Sequence, residues 1–218
     1  MKKALFLFML TLPLLAIAQN KVKFGINAGA VLSDVRGESY AADFNYGMGY
    51  LFGVSMETRL SERLSFIANI NYERKNPTKK EDYSYMIIVA GQNGMAQEIM
   101  IDGTAKITTI LDYISIPVNL KYYIGTNKDY FVTTGLFAAF MADERVKVKH
   151  GTYLANYHNN YHTLDYGVNL GIGKKIKLSD TQNLNMELRD NFGLSTIAHD
   201  FKAKTNSINL IANWQFDL

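Results

Sequence analysis

The chain has 218 residues, a formal net charge of +3 and no cysteine. Lys2 and Lys3 supply two of those charges in a stretch without acids, so the remainder is near neutral and implies no nucleic-acid partner. The missing cysteines exclude a disulfide framework and thiol chemistry, and the absence of any Pro/Ser-rich linker fits a single domain.

Residues 1–18 read as a signal peptide. Lys2 and Lys3 form a basic start, residues 4–17 an apolar run, and Ala16-Ile17-Ala18 a small-residue cleavage site before Gln19. The run is shorter than the ~20 residues of a spanning helix and contains Pro13, which argues against an anchor. No cysteine follows it, so it is not a lipoprotein signal. Residues 19–218 are expected to form the exported domain.

Eight segments then alternate apolar and polar residues with the period of a β-strand: 22–32, 46–60, 64–75, 107–124, 130–142, 164–176, 183–194 and 205–218. Each is about ten residues or longer, as needed to cross a bilayer at a tilt. The stretch from Leu111 to Ala142 is the clearest, with Ile114, Ile116, Val118, Leu120, Tyr122 and Ile124 on one face of its first half. Connections 61–63, 125–129 and 177–182 are short, whereas 33–45, 76–106, 143–163 and 195–204 are longer and fall at the opposite end. This predicts an all-β fold: an eight-stranded, antiparallel, up-and-down transmembrane β-barrel with short periplasmic turns and long extracellular loops.

Which face meets lipid is decided by glycine. One phase is apolar (Phe24, Ile26, Phe52, Val54, Val168, Leu170, Ile208, Leu210), and the other carries Asn27, Glu57, Asn69, Glu73, Lys121, Glu187, Arg189 and most of the strand glycines. A soluble ligand-binding barrel would turn the apolar phase inward and have little use for glycine on its outer wall. In a narrow eight-stranded lumen, glycine leaves room for long charged side chains, so the apolar phase is assigned to lipid. Tyr122, Tyr130, Trp214 and Phe216 near the short turns, and Tyr46, Tyr72 and Phe192 near the long loops, are placed as interfacial girdles. Two residues fit poorly. Pro117 lies mid-strand and suggests a local bulge. Asp190 falls on the lipid phase, either close to the outer interface or shifted by a bulge, and both readings stay open.

The stretches SIPVNLKYYI, DYGVNLGIG, ELRDNFGLSTI and NSINLIANWQF, with the opening KFGINAGAVLSD, resemble the PorT-type outer-membrane β-barrel family common in Bacteroidota. The resemblance runs over nearly the whole exported chain. It implies an outer-membrane location, insertion by the barrel-assembly machinery and outer-membrane lipids as neighbours. One namesake works in type IX secretion, but the matching residues belong to a strand framework and specify no activity. Asp190, where the family tends to have an aromatic, and the ending Phe216-Asp217-Leu218, which lacks a terminal aromatic, depart from the pattern.

The inward charges Glu57, Arg59, Lys121, Lys175, Glu187 and Arg189 are expected to form a structural charge network that closes the lumen, since charges in so narrow a space must be paired. No catalytic, cofactor or metal motif emerges. His150, His158, His162 and His199 all fall in the loops; His158 and His162 would share a face if helical, but a polar surface loop is the simpler reading. Ser195, His199 and Asp200 are close in sequence without any feature that fixes a catalytic geometry. Residues 76–106 contain apolar-rich stretches separated by Gly91 to Gly94, the pattern either of a hairpin rising above the membrane or of barrel strands that simply continue past it and end in a loose tip, and both readings stay open. The expected role is a structural or interaction barrel that presents its loops to a protein or surface partner. A small-solute pore, a component of a secretion or envelope assembly, and an outer-membrane enzyme are the alternatives.

Overall fold

The computed structural model describes residues 22–37, 44–90, 96–150, 153–157, 161–198 and 202–217. The expected signal peptide, His158, His199 and Asp200 lie outside these residues. Among the described residues there are ten strands: β1 (Val22–Gly37), β2 (Gly47–Arg59), β3 (Leu64–Lys75), β4 (Thr78–Ala90), β5 (Ala96–Ile124), β6 (Tyr130–His150), β7 (Tyr153–Tyr157), β8 (Leu164–Lys177), β9 (Gln182–Gly193) and β10 (Ala203–Asp217).

Eight of them close a ring. The order runs β5-β3-β2-β1-β10-β9-β8-β6, and β6 pairs back with β5. Every pairing is antiparallel, and β1 joins β10 in unbroken register from Lys23 opposite Asp217 to Gly37 opposite Ala203. The eight predicted segments are these eight strands. The remaining two are built outside the ring from the long loops: β4 pairs with the first half of β5, and β7 with the end of β6. Because β5 and β6 stay paired up to Lys106 opposite Lys149, the order β4-β5-β6-β7 is a four-stranded sheet continuing the barrel wall beyond the membrane. The apolar-rich stretches of 76–106 thus form a hairpin, and both of its strands prolong the barrel: β5 is one continuous strand, and β4 keeps on β5 the register of β3, from Lys75 opposite Leu111 to Thr78 opposite Thr108.

The barrel is inside-out relative to a soluble protein. Leu136 and Leu170 are each 65% exposed, whereas Lys121 is 1% and Lys75 2% exposed. Along β5, Ile114, Val118, Leu120, Tyr122 and Ile124 point outward and Tyr113, Ser115, Pro117, Asn119, Lys121 and Tyr123 point into the lumen. The apolar phase therefore meets lipid. Tyr50, Phe52 and Tyr72 stack on the outer wall toward the loops, and exposed Tyr122, Tyr130 and Trp214 lie toward the turns. In the 125–129 turn, Gly125 and Lys128 adopt positive φ of 83° and 57°, which reverses the chain in a few residues.

The two misfits resolve differently. Pro117 makes no bulge: it pairs in register with Phe137 on β6, and the register with β3 is the same on either side of it. Lacking an N–H, it leaves instead a gap in the β3–β5 ladder, opposite Asn69 and Ile70. The bulge of this strand pair lies elsewhere, between Asp112 and Tyr113, where Ala142 is the extra residue on β6. Asp190 keeps its phase, opposite Ile208 and Leu170. It stands in a polar patch near the loop end. In the amide orientation that satisfies its neighbours, Asn206 donates to Asp190 Oδ1 (3.3 Å) and accepts from the Tyr46 hydroxyl (3.1 Å). Arg36 stacks 3.4 Å above the Phe192 ring beside it. Across the barrel, Arg74 grips Asp112 through two hydrogen bonds of 2.6 and 2.7 Å, and Arg145 adds a third at 3.1 Å. These groups mark the outer limit of the hydrocarbon.

The lipid assignment predicts that Val118→Arg lowers folding stability by roughly 2–4 kcal/mol in lipid vesicles, while Val118→Leu changes it by less than about 1.5 kcal/mol. Urea titration of the vesicle-embedded protein measures both, and an unchanged Val118→Arg midpoint would put this face in the lumen.

Candidate functional site

The lumen is filled in layers, because inward positions recur every second residue along the strands. At the level nearest the turns, the Glu57 carboxylate accepts from Lys121 Nζ (2.9 Å), Gln215 Nε2 (2.9 Å) and the Tyr123 hydroxyl (2.7 Å). Lys121 also lies 4.2 Å from the centroid of the Phe131 ring. In the middle, Arg189 holds Glu187 through Nε (2.8 Å) and Nη2 (2.7 Å), and Thr133 donates to the same carboxylate (2.5 Å). Gly171 stands opposite, where any Cβ would run into the Glu187 carboxylate and the Thr133 hydroxyl. Asparagines bridge strands at this height, where Asn27 donates to Asn71 (2.8 Å) and Asn213 to Asn27 (2.5 Å), and Asn185 donates down to Gln215 (2.7 Å) of the turn-side level. A gap bordered by Asn27, Lys121, Glu187 and Arg189 holds about 10 Å³, at most one water's worth of space.

Toward the loops lies a third ionic group. Lys75 Nζ reaches Asp165 Oδ2 (3.3 Å) and Thr205 Oγ1 (3.2 Å), while Ser195 and Thr205 donate to Asp165 at 2.7 and 2.6 Å. Above it the lumen ends in an apolar lid. Val35, Leu111, Tyr113, Phe137, Ala139, Ile197, Ala198 and Ala203 form one buried cluster, joined by Phe44, Met141 and Tyr161. The β9–β10 connection is tied into place by the Tyr161–Ala198 bridge and by hydrogen bonds from His162 N to Ile197 O and from Ile197 N to Ala203 O.

Residues 17–199 match the family described as outer membrane protein beta-barrel domain. The chain belongs to that family. It is an outer-membrane β-barrel protein. Among curated proteins no match is found. Solved structures similar to this barrel include Neisserial surface protein A, at 15% identity and a TM-score of 0.46 over 89% of this chain and 97% of that one. OprG from Pseudomonas aeruginosa has 13% identity and a TM-score of 0.48, over 91% and 97%. Ail of Yersinia pestis, crystallised with the heparin analogue sucrose octasulfate, shares 12% identity with a TM-score of 0.43, over 90% and 99%. At such identities the likeness concerns the fold alone.

The structure brings together four of the six residues expected in the charge network of this outer-membrane barrel. Glu57 pairs with Lys121 and Glu187 with Arg189, in two separate clusters. Lys175 is half-buried, 5.1 Å from the Tyr123 ring on the side of the short turns. Arg59 is exposed. It is the last residue of β2, where the wall ends and the guanidinium reaches water, so it is not part of the buried network. The Lys75–Asp165 pair is absent from the expected set, although the sequence carries its signal: Lys75 continues the inward series Asn69, Asn71, Glu73, and Asp165 the series Gly167, Asn169. Ser195, a candidate nucleophile by sequence, spends its hydroxyl on Asp165 and accepts from Tyr166 N (2.9 Å). The chain before 158 is strand β7 and Tyr161 sits in a β-bridge, so the described flanks of the histidine pair are extended and not helical. Among the described residues no group of three or more His, Cys, Asp or Glu is arranged to hold a metal ion.

Removing one partner of the Glu57–Lys121 pair leaves a buried charge without compensation. Lys121→Met is expected to cost about 3–5 kcal/mol, and the double change Glu57→Gln/Lys121→Met to recover most of it. Urea unfolding of the wild type and the two variants in vesicles reads the coupling directly.

Proposed function

We propose that this barrel is a closed scaffold that holds an extracellular β-sheet against a protein or surface partner. The observation that carries this reading is the sheet β4-β5-β6-β7, which prolongs the barrel wall outward and, among the described residues, ends in two open edges, on β4 and β7. Exposed strand edges recruit partners by main-chain pairing. A rigid wall continuing into the protrusion presents those edges at fixed height and angle, which a loop does not.

The interior supports the same reading. Ion pairs and asparagine bridges at each level, closed above by the apolar lid, leave little room for a solute path, which disfavours a small-solute pore. No catalytic role is assigned, because Ser195 and the carboxylate it bonds, Asp165, are buried and committed to structural bonds. The resemblance of its strand sequences to PorT-type barrels supports an envelope or secretion assembly as the setting in which such a partner would be met, without naming the assembly.

Replacing residues 80–104 with a tight turn is expected to leave an inserted, heat-modifiable barrel that no longer captures its partner in cross-linking from the native membrane. Retained capture in that variant, with loss on Glu187→Gln in a folded barrel, would move the function into the lumen. Planar-bilayer recordings of the intact protein are expected to show no stable ohmic conductance, and a reproducible open channel would refute the closed scaffold.

A further inference from the structure

The extracellular sheet places lysines where sheets ordinarily avoid them. In register, Lys80 on β4 stands opposite Lys106 on β5, and Lys106 stands opposite Lys149 on β6. Lys147 occupies the next outward position on β6. All four side chains are exposed on one face. Directly opposed like charges repel, because cross-strand side chains sit only about 5 Å apart. Lysine is common on edge strands, where it deters pairing with other chains. That accounts for Lys80 but not for Lys106 and Lys149, which lie on the two inner strands. Two carboxylates share this face further toward the hairpin tip, Asp82, which accepts from the Thr104 hydroxyl (2.8 Å), and Asp102 beyond it, while Asp112 and Asp143 are held by Arg74 and Arg145. Among the described residues no carboxylate forms an ion pair with any of the four lysines.

The direction in which this patch faces identifies its ligand. On β5, the outward positions run from Leu120, Val118, Ile116 and Ile114 in the hydrocarbon, through Asp112 at its limit and the buried Ile110, to Thr108 and Lys106. The lysine row is thus on the same face as the lipid-contacting wall. It lies six residues beyond Asp112 on the continuous strand β5, about 20 Å further along the chain direction. A lipid standing against this wall, with its chains on the isoleucines, would bring an extended anionic headgroup to the lysines. We propose that Lys80, Lys106, Lys147 and Lys149 form a binding site for the phosphorylated saccharide headgroup of an outer-leaflet glycolipid. The site neutralises a repulsion built into the sheet, and so ties the position of the protrusion to the surrounding leaflet. It is independent of whatever the sheet edges bind.

The test uses the full-length barrel in vesicles of phosphatidylcholine, with or without phosphorylated lipopolysaccharide. The temperature at which heat-modifiability is lost is expected to rise on adding lipopolysaccharide, and the rise to shrink between low and high salt. Lys80→Gln/Lys106→Gln/Lys149→Gln should abolish the rise while leaving stability in phosphatidylcholine alone equal or higher, and the corresponding Arg triple should retain it. Should the Gln triple not fold, Lys106→Gln alone is expected to reduce the rise at least twofold. An undiminished rise in the Gln variants would overturn the site. An equal rise with dephosphorylated lipopolysaccharide would overturn the phosphate chemistry. An equal rise with soluble inositol hexakisphosphate in plain vesicles would overturn the lipid as its source.

Discussion

Hydrocarbon offers no hydrogen bonds, so a strand may cross it only if both of its edges are paired. That requirement closes this chain into a ring through β1 with β10 and β5 with β6, and the ring's small circumference dictates most of the interior. Eight strands enclose a space that side chains alone can fill. Since the apolar phase is claimed by lipid, the filling must come from the polar phase. Where two bulky groups would collide, one strand gives up its side chain: Gly171 yields to the Glu187 carboxylate, and Gly173 to the Phe131 ring.

Charged filling is acceptable only when each charge is met. Glu57 accepts three hydrogen bonds and Glu187 three, and the Lys75 ammonium has both Asp165 and the Thr205 hydroxyl. Such clusters add little net stability over apolar packing, because desolvation offsets most of the attraction. What they supply is dependence on register. Arg189 and Glu187 are two residues apart on one strand, but Thr133, Lys121 and Gln215 reach their carboxylates from other strands, and a one-residue slip would turn each of them toward lipid.

Much of this is legible in the sequence because a strand's two faces are written in alternate letters. The eight ring strands, the identity of the lipid face and four of the six lumen charges come from parity. Asp190 is ambiguous in the sequence because parity does not report depth, which its bond to Asn206, itself held by Tyr46, supplies. Pro117 reads as a bulge because a missing donor and an extra residue leave the same mark in one strand; only the partner strand distinguishes them. Arg59 groups with the buried charges since parity also says nothing about where a wall ends. The part of the apolar lid that comes from the β9–β10 connection has no periodic signature. Ile197 and Ala198 lie in a connection, and their burial depends on Leu111, Tyr113 and Phe137 from distant strands.

The lid also bears on how the barrel holds together in time. Its members come from β1 at Val35, from β5 and β6, from the β9–β10 connection and from β10 at Ala203, so it is assembled from nearly the full length of the folded chain. Contacts of such long sequence separation form late and slowly, because the chain entropy of closing the intervening loops must be lost first. Once formed, they bridge the first and last strands on the same side of the seam that β1 and β10 close along their edges. Opening that seam therefore requires an apolar cluster to come apart in the same event as a row of backbone hydrogen bonds. The lid is a latch on the seam, and its contribution is to the lifetime of the closed ring.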